Sequence, residues 1–452
     1  ETGRIIVGGK GRKHPKEADV FLHIAMKVAK NCRYVEPQFT LRFDKETSEE
    51  IWDEALDALG AGATYPTLYN DDVNVPAVMY GMRVDEKTAE QYVPFGCTEF
   101  VIQGQSTGTP NICINLLKLL TIYMNDGIDP IDGKRKSGPV SLKKLEEYQT
   151  FEEFYDGYKA LLDYYLDLSV KAQYHSYEVM NQHVSFLFTS LLTDDCIARG
   201  KALLDGGVRY LGGTNETYGN INTSDSLWVI RDLVFNQKKY TLRQLNDAML
   251  ANFNGYEALR KDCLNCDKYG NDLETADTMA NDLYEFVAKG VRDRGIAIGM
   301  QYFLIVISNN QLNTEWGNRT AASPDGRLSC MYMNPANNPQ GGANKSGPTA
   351  MLNSLAKFDA KYHGGSVQNI KFSPSMFNEN RAVIKSLFKT YFAKGGCHLM
   401  VTVVDKGVLE DAVEHPENYP DLIVRVSGFS AVFVDLSPNI QQELLSRVLY
   451  DK

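Results

Sequence analysis

The segment YVPFGCTEF, residues 92–100, places a thiol, Cys97, two positions before a carboxylate, Glu99. In extended backbone, residues i and i+2 project to the same side. The spacing therefore predicts that both groups face one cavity. A neighbouring carboxylate raises a thiol's pKa, which makes Cys97 a poor thiolate nucleophile. The pair suits a different division of labour, in which sulfur abstracts a hydrogen atom and the carboxylate moves a proton. Taken alone, the loop also has an ordinary reading, a buried cysteine beside a solvated carboxylate. A second feature lies near the C-terminus. DLIVRVSGFSAVF, residues 421–433, reads as a buried strand interrupted by Gly428. A strand glycine costs backbone entropy and packs nothing. By itself it predicts a bulge or a close backbone approach.

Other reactive side chains offer less. CLNC, with Cys263 and Cys266, has no second ligand pair nearby, so it reads as ordinary thiols in a turn rather than a zinc or redox site. The seven histidines show no metal spacing. GGKGRKHPKE lacks the GxxxxGK[ST] pattern and is not a phosphate loop. In QGQSTGTPNICINLL, Ser106, Thr107, Thr109 and Asn111 either hydrogen-bond a polar substrate or serve as loop and helix-cap residues.

The elements that must position these groups come from a 452-residue chain with 43% hydrophobic and 23% charged residues. Its net charge of -10 argues against nucleic acid or an anionic membrane as partner. The most apolar stretch, IAIGMQYFLIVIS from Ile296, is too short to span a bilayer and reads as a buried strand. The N-terminal residues lack an apolar signal core and an initiator Met, so a fragment or processed product is expected. Eight scattered cysteines point to a reducing cytoplasm, within which a bacterial microcompartment is one setting. Helices are predicted after caps at Thr47 and Ser48, from Ile114, and from Thr150 with Glu153 through a long run. Further helices are predicted at Ser224–Phe235, Thr241–Leu259 and Ala276–Val291, in KGVLEDAVEH, and after Ser437 and Pro438. Residues 60–96 and 309–366 read as loops. HLMVTVV and DLIVRVS read as strands, and the alternation predicts an α/β fold without a compositional domain boundary.

The two loops together resemble the glycyl radical enzymes, the family of pyruvate formate-lyase. RVSGFSAVF is similar to the family's radical loop and VPFGCTE to its cysteine loop. LYNDDVNVPAVMYG, NTSDSLWVIRDLVFNQKKY, AASPDGRLSC, NKSGPTAMLNSLAKFD and HPENYPDLIVRVSGF fit in the same order, so the resemblance runs from about Gly3 to Lys452. It implies the C-terminal part of a ten-stranded barrel: two half-barrel sheets wrapped in helices, with the Cys and Gly loops as fingers inside. Residues 1–310 would be the later part of the barrel domain and 311–452 the glycine radical domain. The family's large N-terminal part is not represented.

The resemblance further implies that no cofactor is bound. A radical S-adenosylmethionine activating enzyme with an iron–sulfur cluster would install a radical on Gly428. That radical would pass to Cys97, which would take hydrogen from a small polar substrate, with Glu99 as general acid or base. A homodimer is implied, with no nucleic-acid or membrane partner and no metal ligand. Pyruvate formate-lyase proper carries adjacent cysteines, whereas this chain has Gly96 before Cys97. The Gly-Cys-x-Glu form resembles the family's dehydratases, choline C–N lyase and arylacetate decarboxylases. The diol dehydratases' Trp-His-Asp stretch has no counterpart in QGQSTGTPNICINLL, which argues against diol dehydration. The expected activity is thus a lyase cleaving C–O, C–N or C–C bonds. The alternatives are formate C-acetyltransferase, and an inactive fragment or spare radical subunit.

Overall fold

The computed structural model describes residues 3–32, 34–108, 111–307 and 311–451. Among them the strands are, in chain order, β1 (Arg4–Gly8), β2 (Gln38–Phe43), β3 (Thr67–Asn70), β4 (Tyr92–Phe95), β5 (Glu99–Ile102), β6 (Asn111–Asn115) and β7 (Gly212–Tyr218). They continue with β8 (Tyr302–Ile307), β9 (His363–Ser366), β10 (Asn369–Phe372), β11 (His398–Val403), β12 (Ile423–Arg425), β13 (Ser430–Val432) and β14 (Leu449–Tyr450). β2, β7 and β8 are buried at every position, as strands covered on both faces must be.

β1, β2 and β3 run parallel, and β3 meets β11 antiparallel. β11, β10 and β14 complete a six-stranded sheet, again parallel. β6 to β9 form a second, four-stranded parallel sheet. β9 runs into β10 after two residues. There Val367 N–H donates to Ile307 O (3.0 Å) and Met400 N–H to Gln368 O (2.8 Å), so the two sheets join into one wall. This is the α/β arrangement expected of the barrel. Two antiparallel hairpins, β4–β5 and β12–β13, belong to neither sheet.

Helices cover the sheets. Ser48 Oγ accepts from Ile51 N–H and starts Glu49–Gly60; Thr150 Oγ1 accepts from Glu153 N–H and starts the 33-residue helix Phe151–His183. The helix Glu274–Ala297 packs on β8 and the first half of Phe151–His183, joining one large apolar core.

Several sequence expectations need correction. Residues 60–96 are not all loop: they hold β3, the helix Asp71–Met82, the turn Glu86–Ala89 and β4. Their Asn and Asp residues act as caps: Asn70 accepts from Asp72 N–H and Asp85 from Thr88 N–H. Pro76 lies inside the helix Asp71–Met82, with Val75, Ala77, Val78 and Met82 buried beside it. The helix expected from Ile114 starts at Leu116, since Asn111–Asn115 pairs with β7. Thr241–Leu259 divides into Leu242–Leu250 and Glu257–Asn265 at a turn where Asn252, Phe253 and Gly255 have positive φ. The loop span 309–366 contains the helix Gly347–Leu355 and β9. The last helix ends at Ser446, and Leu449 and Tyr450 leave it to pair with Lys371 and Phe372. Ser437 makes no side-chain cap bond there.

Candidate active site

β4 and β5 pair from Tyr92↔Ile102 to Phe95↔Glu99, leaving Gly96, Cys97 and Thr98 as the turn. Gly96 (φ 51°) and Thr98 (φ 96°) both have positive φ. Thr98 is β-branched, so this backbone is strained by about 1–3 kcal/mol and must be held by its surroundings. The turn departs from the extended geometry predicted for Cys97 and Glu99. Instead the Glu99 carboxylate folds back over Gly96: a Cβ there would lie 2.7 Å from Glu99 Oε2 and 3.2 Å from Cδ. Position 96 thus admits no side chain while Glu99 keeps this pose.

Two glycines grip the turn. A Cβ on Gly365 of β9 (φ 144°) would sit 2.6 Å from Thr98 C and 2.7 Å from Thr98 Oγ1. A Cβ on Gly428 would sit 2.5 Å from Cys97 Cα and 2.7 Å from Cys97 Cβ, and closer still to Sγ. Gly428 lies in the turn of the β12–β13 hairpin, where Val426 N–H donates to Phe429 O (3.1 Å). The strand interruption is therefore a close backbone approach, and what approaches is Cys97. Both residues are buried.

Glu99 is 3% exposed, and its Oε2 has no hydrogen-bond partner among the described residues. Burial, followed by the nearby Glu216 carboxylate, pushes its pKa up to about 7. The backbone N–H groups of Glu99 and Cys97 and the charge of Arg4 oppose this rise. Glu216 belongs to β7. Asn111 Nδ2 donates to Glu216 Oε1 (2.7 Å) and reaches Glu99 Oε1 (3.4 Å), while Thr214 Oγ1 donates to Asn111 Oδ1 (2.6 Å). Tyr218 O–H donates to Glu216 Oε2 (2.5 Å). The result is two carboxylates spanned by one amide.

The other sequence candidates separate. Asn111 joins the site as just described. Ser106 does not: its Oγ accepts from Ile102 N–H (2.8 Å) and ties off the hairpin's base. Thr107 is buried, and its carbonyl accepts from Tyr302 O–H (2.8 Å). Thr109 lies outside the described residues. Cys263 and Cys266 are free thiols, and Cys266 Sγ faces Asp232. Glu216 was missed by sequence reasoning. Its signal was a single carboxylate in the otherwise uncharged run GGTNETYGN. Also missed were His398 and Arg425. Burial holds His398 well below its usual pKa, and its ring centroid lies 4.5 Å from that of Tyr69, tilted at 55°. Arg425, three residues before Gly428, is 1% exposed and has no acidic partner among the described residues. Burial lowers its pKa too.

A strained cysteine turn pressed against a glycine turn inside a helix-wrapped barrel defines a class, and the chain belongs to it. The pyruvate formate lyase-like family matches residues 2–312, and the glycine radical domain matches residues 333–434. The chain is similar to trans-4-hydroxy-L-proline dehydratase of Clostridioides difficile, with 30% identity over 428 residues, 94% of this chain and 54% of that one. The solved structure of hydroxyproline dehydratase from that organism, with its substrate bound, superposes with a TM-score of 0.92 at 28% identity, covering 99% of this chain and 57% of that chain. The glycerol-bound B12-independent glycerol dehydratase of Clostridium butyricum gives a TM-score of 0.91 at 28% identity, covering 99% and 57%. The chain thus spans about half the length of the relatives it matches. No described helix is long and apolar enough to cross a membrane.

Proposed function

We propose that the full-length protein is a glycyl radical lyase acting on a small polar substrate, most nearly a dehydratase. The observation that carries this reading is the backbone of Gly428 lying against the side chain of Cys97. A radical at Gly428 Cα can flatten and delocalise into both neighbouring amides because no Cβ obstructs it. Cys97 gives its thiol hydrogen to Gly428 and becomes a thiyl radical. The thiyl takes a hydrogen atom from substrate carbon and returns to the thiol. Glu99, with a pKa of about 7, is able both to accept a proton from a substrate hydroxyl and to donate one to a leaving group. Loss of the leaving group as its protonated form yields a product radical. That radical recovers a hydrogen atom from Cys97, and Cys97 recovers its own from Gly428.

Residues 1–310 would carry the cysteine loop and 311–452 the radical loop. The partner is a radical S-adenosylmethionine activase, the assembly a homodimer, and the compartment the cytoplasm. Formate acetyltransferase chemistry is disfavoured because an adjacent cysteine at position 96 would displace Glu99.

The test is anaerobic incubation of the full-length protein with its activase, followed by electron paramagnetic resonance. A doublet from the remaining Gly428 hydrogen is expected. It should disappear in Gly428→Ala and persist, without turnover, in Cys97→Ser. A missing wild-type doublet refutes the reading. Formate release dependent on coenzyme A would replace the lyase with the acetyltransferase.

A further inference from the structure

The two hairpins share no backbone hydrogen bond among the described residues, yet Cys97 and Gly428 must stay in register. One side chain reaches both. Arg4, on β1, directs its guanidinium into the gap. Nη1 donates to Pro94 O (3.0 Å), and Nη2 donates to Gly96 O (2.7 Å) and lies 3.5 Å from Gly428 O. Gln38 Oε1 on β2 accepts from the same Nη2 (2.6 Å) and fixes the fork from behind. Three carbonyls from two separate loops thus converge on one planar, permanently charged group.

We propose that Arg4 is a positioning residue that sets the approach of Gly428 to Cys97. The inference rests on the radical-transfer reading above. Arg4 touches neither Gly428 Cα nor Cys97 Sγ. It acts by hydrogen-bonding Gly96 O, next to Cys97, and by holding its positive charge 3.5 Å from Gly428 O, with the fork anchored in the barrel through Gln38. The strained turn needs such a hold, because the β-branched Thr98 sits at positive φ. A lysine would keep the charge and three donors but lose the planar fork that fixes the spacing between the carbonyls of the two loops.

The transfer is readable without a known substrate. In heavy water the Cys97 thiol exchanges its hydrogen for deuterium. When Gly428 recovers hydrogen from Cys97, it receives deuterium. If it then gives its original hydrogen back to the thiyl, the radical returns with deuterium on Cα. The doublet caused by the α-hydrogen then collapses to a narrower line. The collapse rate therefore measures Gly428–Cys97 transfer directly, and Cys97→Ala should abolish it.

The experiment compares full-length wild type, Arg4→Gln and Arg4→Lys after activation. Arg4→Gln is expected to hold radical within about twofold of wild type but to collapse on the order of 100-fold more slowly, the effect of misplacing reacting groups by about 1 Å. Arg4→Lys should fall between the two. Collapse of Arg4→Gln within about threefold of wild type overturns the proposal. Should Arg4→Gln fail to fold, Arg4→Lys decides: collapse at the wild-type rate overturns it, slower collapse at normal radical content upholds it. A wild-type protein that forms no doublet defeats the radical reading itself, a result distinct from a normal wild type with unaffected Arg4 variants.

Discussion

Gly428→Ala probes the site where packing and chemistry make the same demand. The added Cβ would lie 2.5 Å from Cys97 Cα and 2.7 Å from Cys97 Cβ. Ordinary contact begins near 3.4 Å, so one hairpin must withdraw by about 1 Å. Overpacking of this kind costs about 1–3 kcal/mol. A protein with about 5–15 kcal/mol of stability survives that, so the variant should fold, with an unfolding midpoint lower by a few degrees. Because the overlap includes the Cα of Cys97, trimming that residue cannot cure it. Gly428→Ala combined with Cys97→Ala should recover only part of the lost stability in a double-mutant cycle. The assays are thermal unfolding and electron paramagnetic resonance on the same samples. An unshifted midpoint in Gly428→Ala, or complete recovery in the double variant, would refute the packing argument; a persisting doublet would refute the assignment of the radical.

Glu99 gives a pH-dependent prediction. Its folded-state pKa of about 7 lies above the ordinary 4.5, so the folded state holds the proton more tightly. Stability therefore falls as pH rises from about 4.5 to about 7, and the loss is complete above that. Glu99→Gln removes the loss, so its unfolding midpoint should gain on wild type between pH 5 and pH 8, on the order of those values. Glu216→Gln deletes the second cause of the raised pKa, and the limb of the activity–pH profile belonging to Glu99 should move to lower pH; an unmoved limb would exclude electrostatic coupling between them. Arg447 pairs with the 2%-exposed Glu443 and donates from Nη2 to Val426 O (2.6 Å) beside the glycine turn. Arg447→Ala strands a buried carboxylate and should cost about 3–5 kcal/mol in denaturant unfolding, with Arg447→Met/Glu443→Leu costing clearly less.

Some of this was legible in the sequence because it is local. The thiol and carboxylate of residues 97 and 99 sit in one short loop, and a strand with a glycine at its middle announces a constraint on side-chain space. The α/β alternation was equally local. The fold-back of Glu99 was not, since it depends on positive φ at Gly96 and Thr98, which the turn adopts under pressure from β9 and β12–β13. Glu216 was hidden because only the parallel register, Asn111↔Thr214 and Cys113↔Glu216, brings it beside β6. Arg4 was hidden by distance: its carbonyl partners lie 90, 92 and 424 residues away. Residues 60–96 misled because Asn70 and Asp85 favour turns, yet buried neighbours used them as helix caps.

The β12–β13 hairpin packs into its own small apolar cluster, which includes Leu409, Val424, Val426, Phe433, Ile440 and Leu444 and stands apart from the main core. Its chain end joins the large sheet through the pairs Lys371↔Leu449 and Phe372↔Tyr450, with Ser373 N–H donating to Tyr450 O (2.9 Å). A unit with its own core is expected to open at a free energy below that of global unfolding, which hydrogen exchange of the β12–β13 amides would read. Shielding of Gly428 from oxygen and solvent is then a population rather than a barrier. On the reading that Gly428 carries the radical, its lifetime would follow the fraction of time this unit spends detached, a conformational equilibrium held by eight buried apolar side chains.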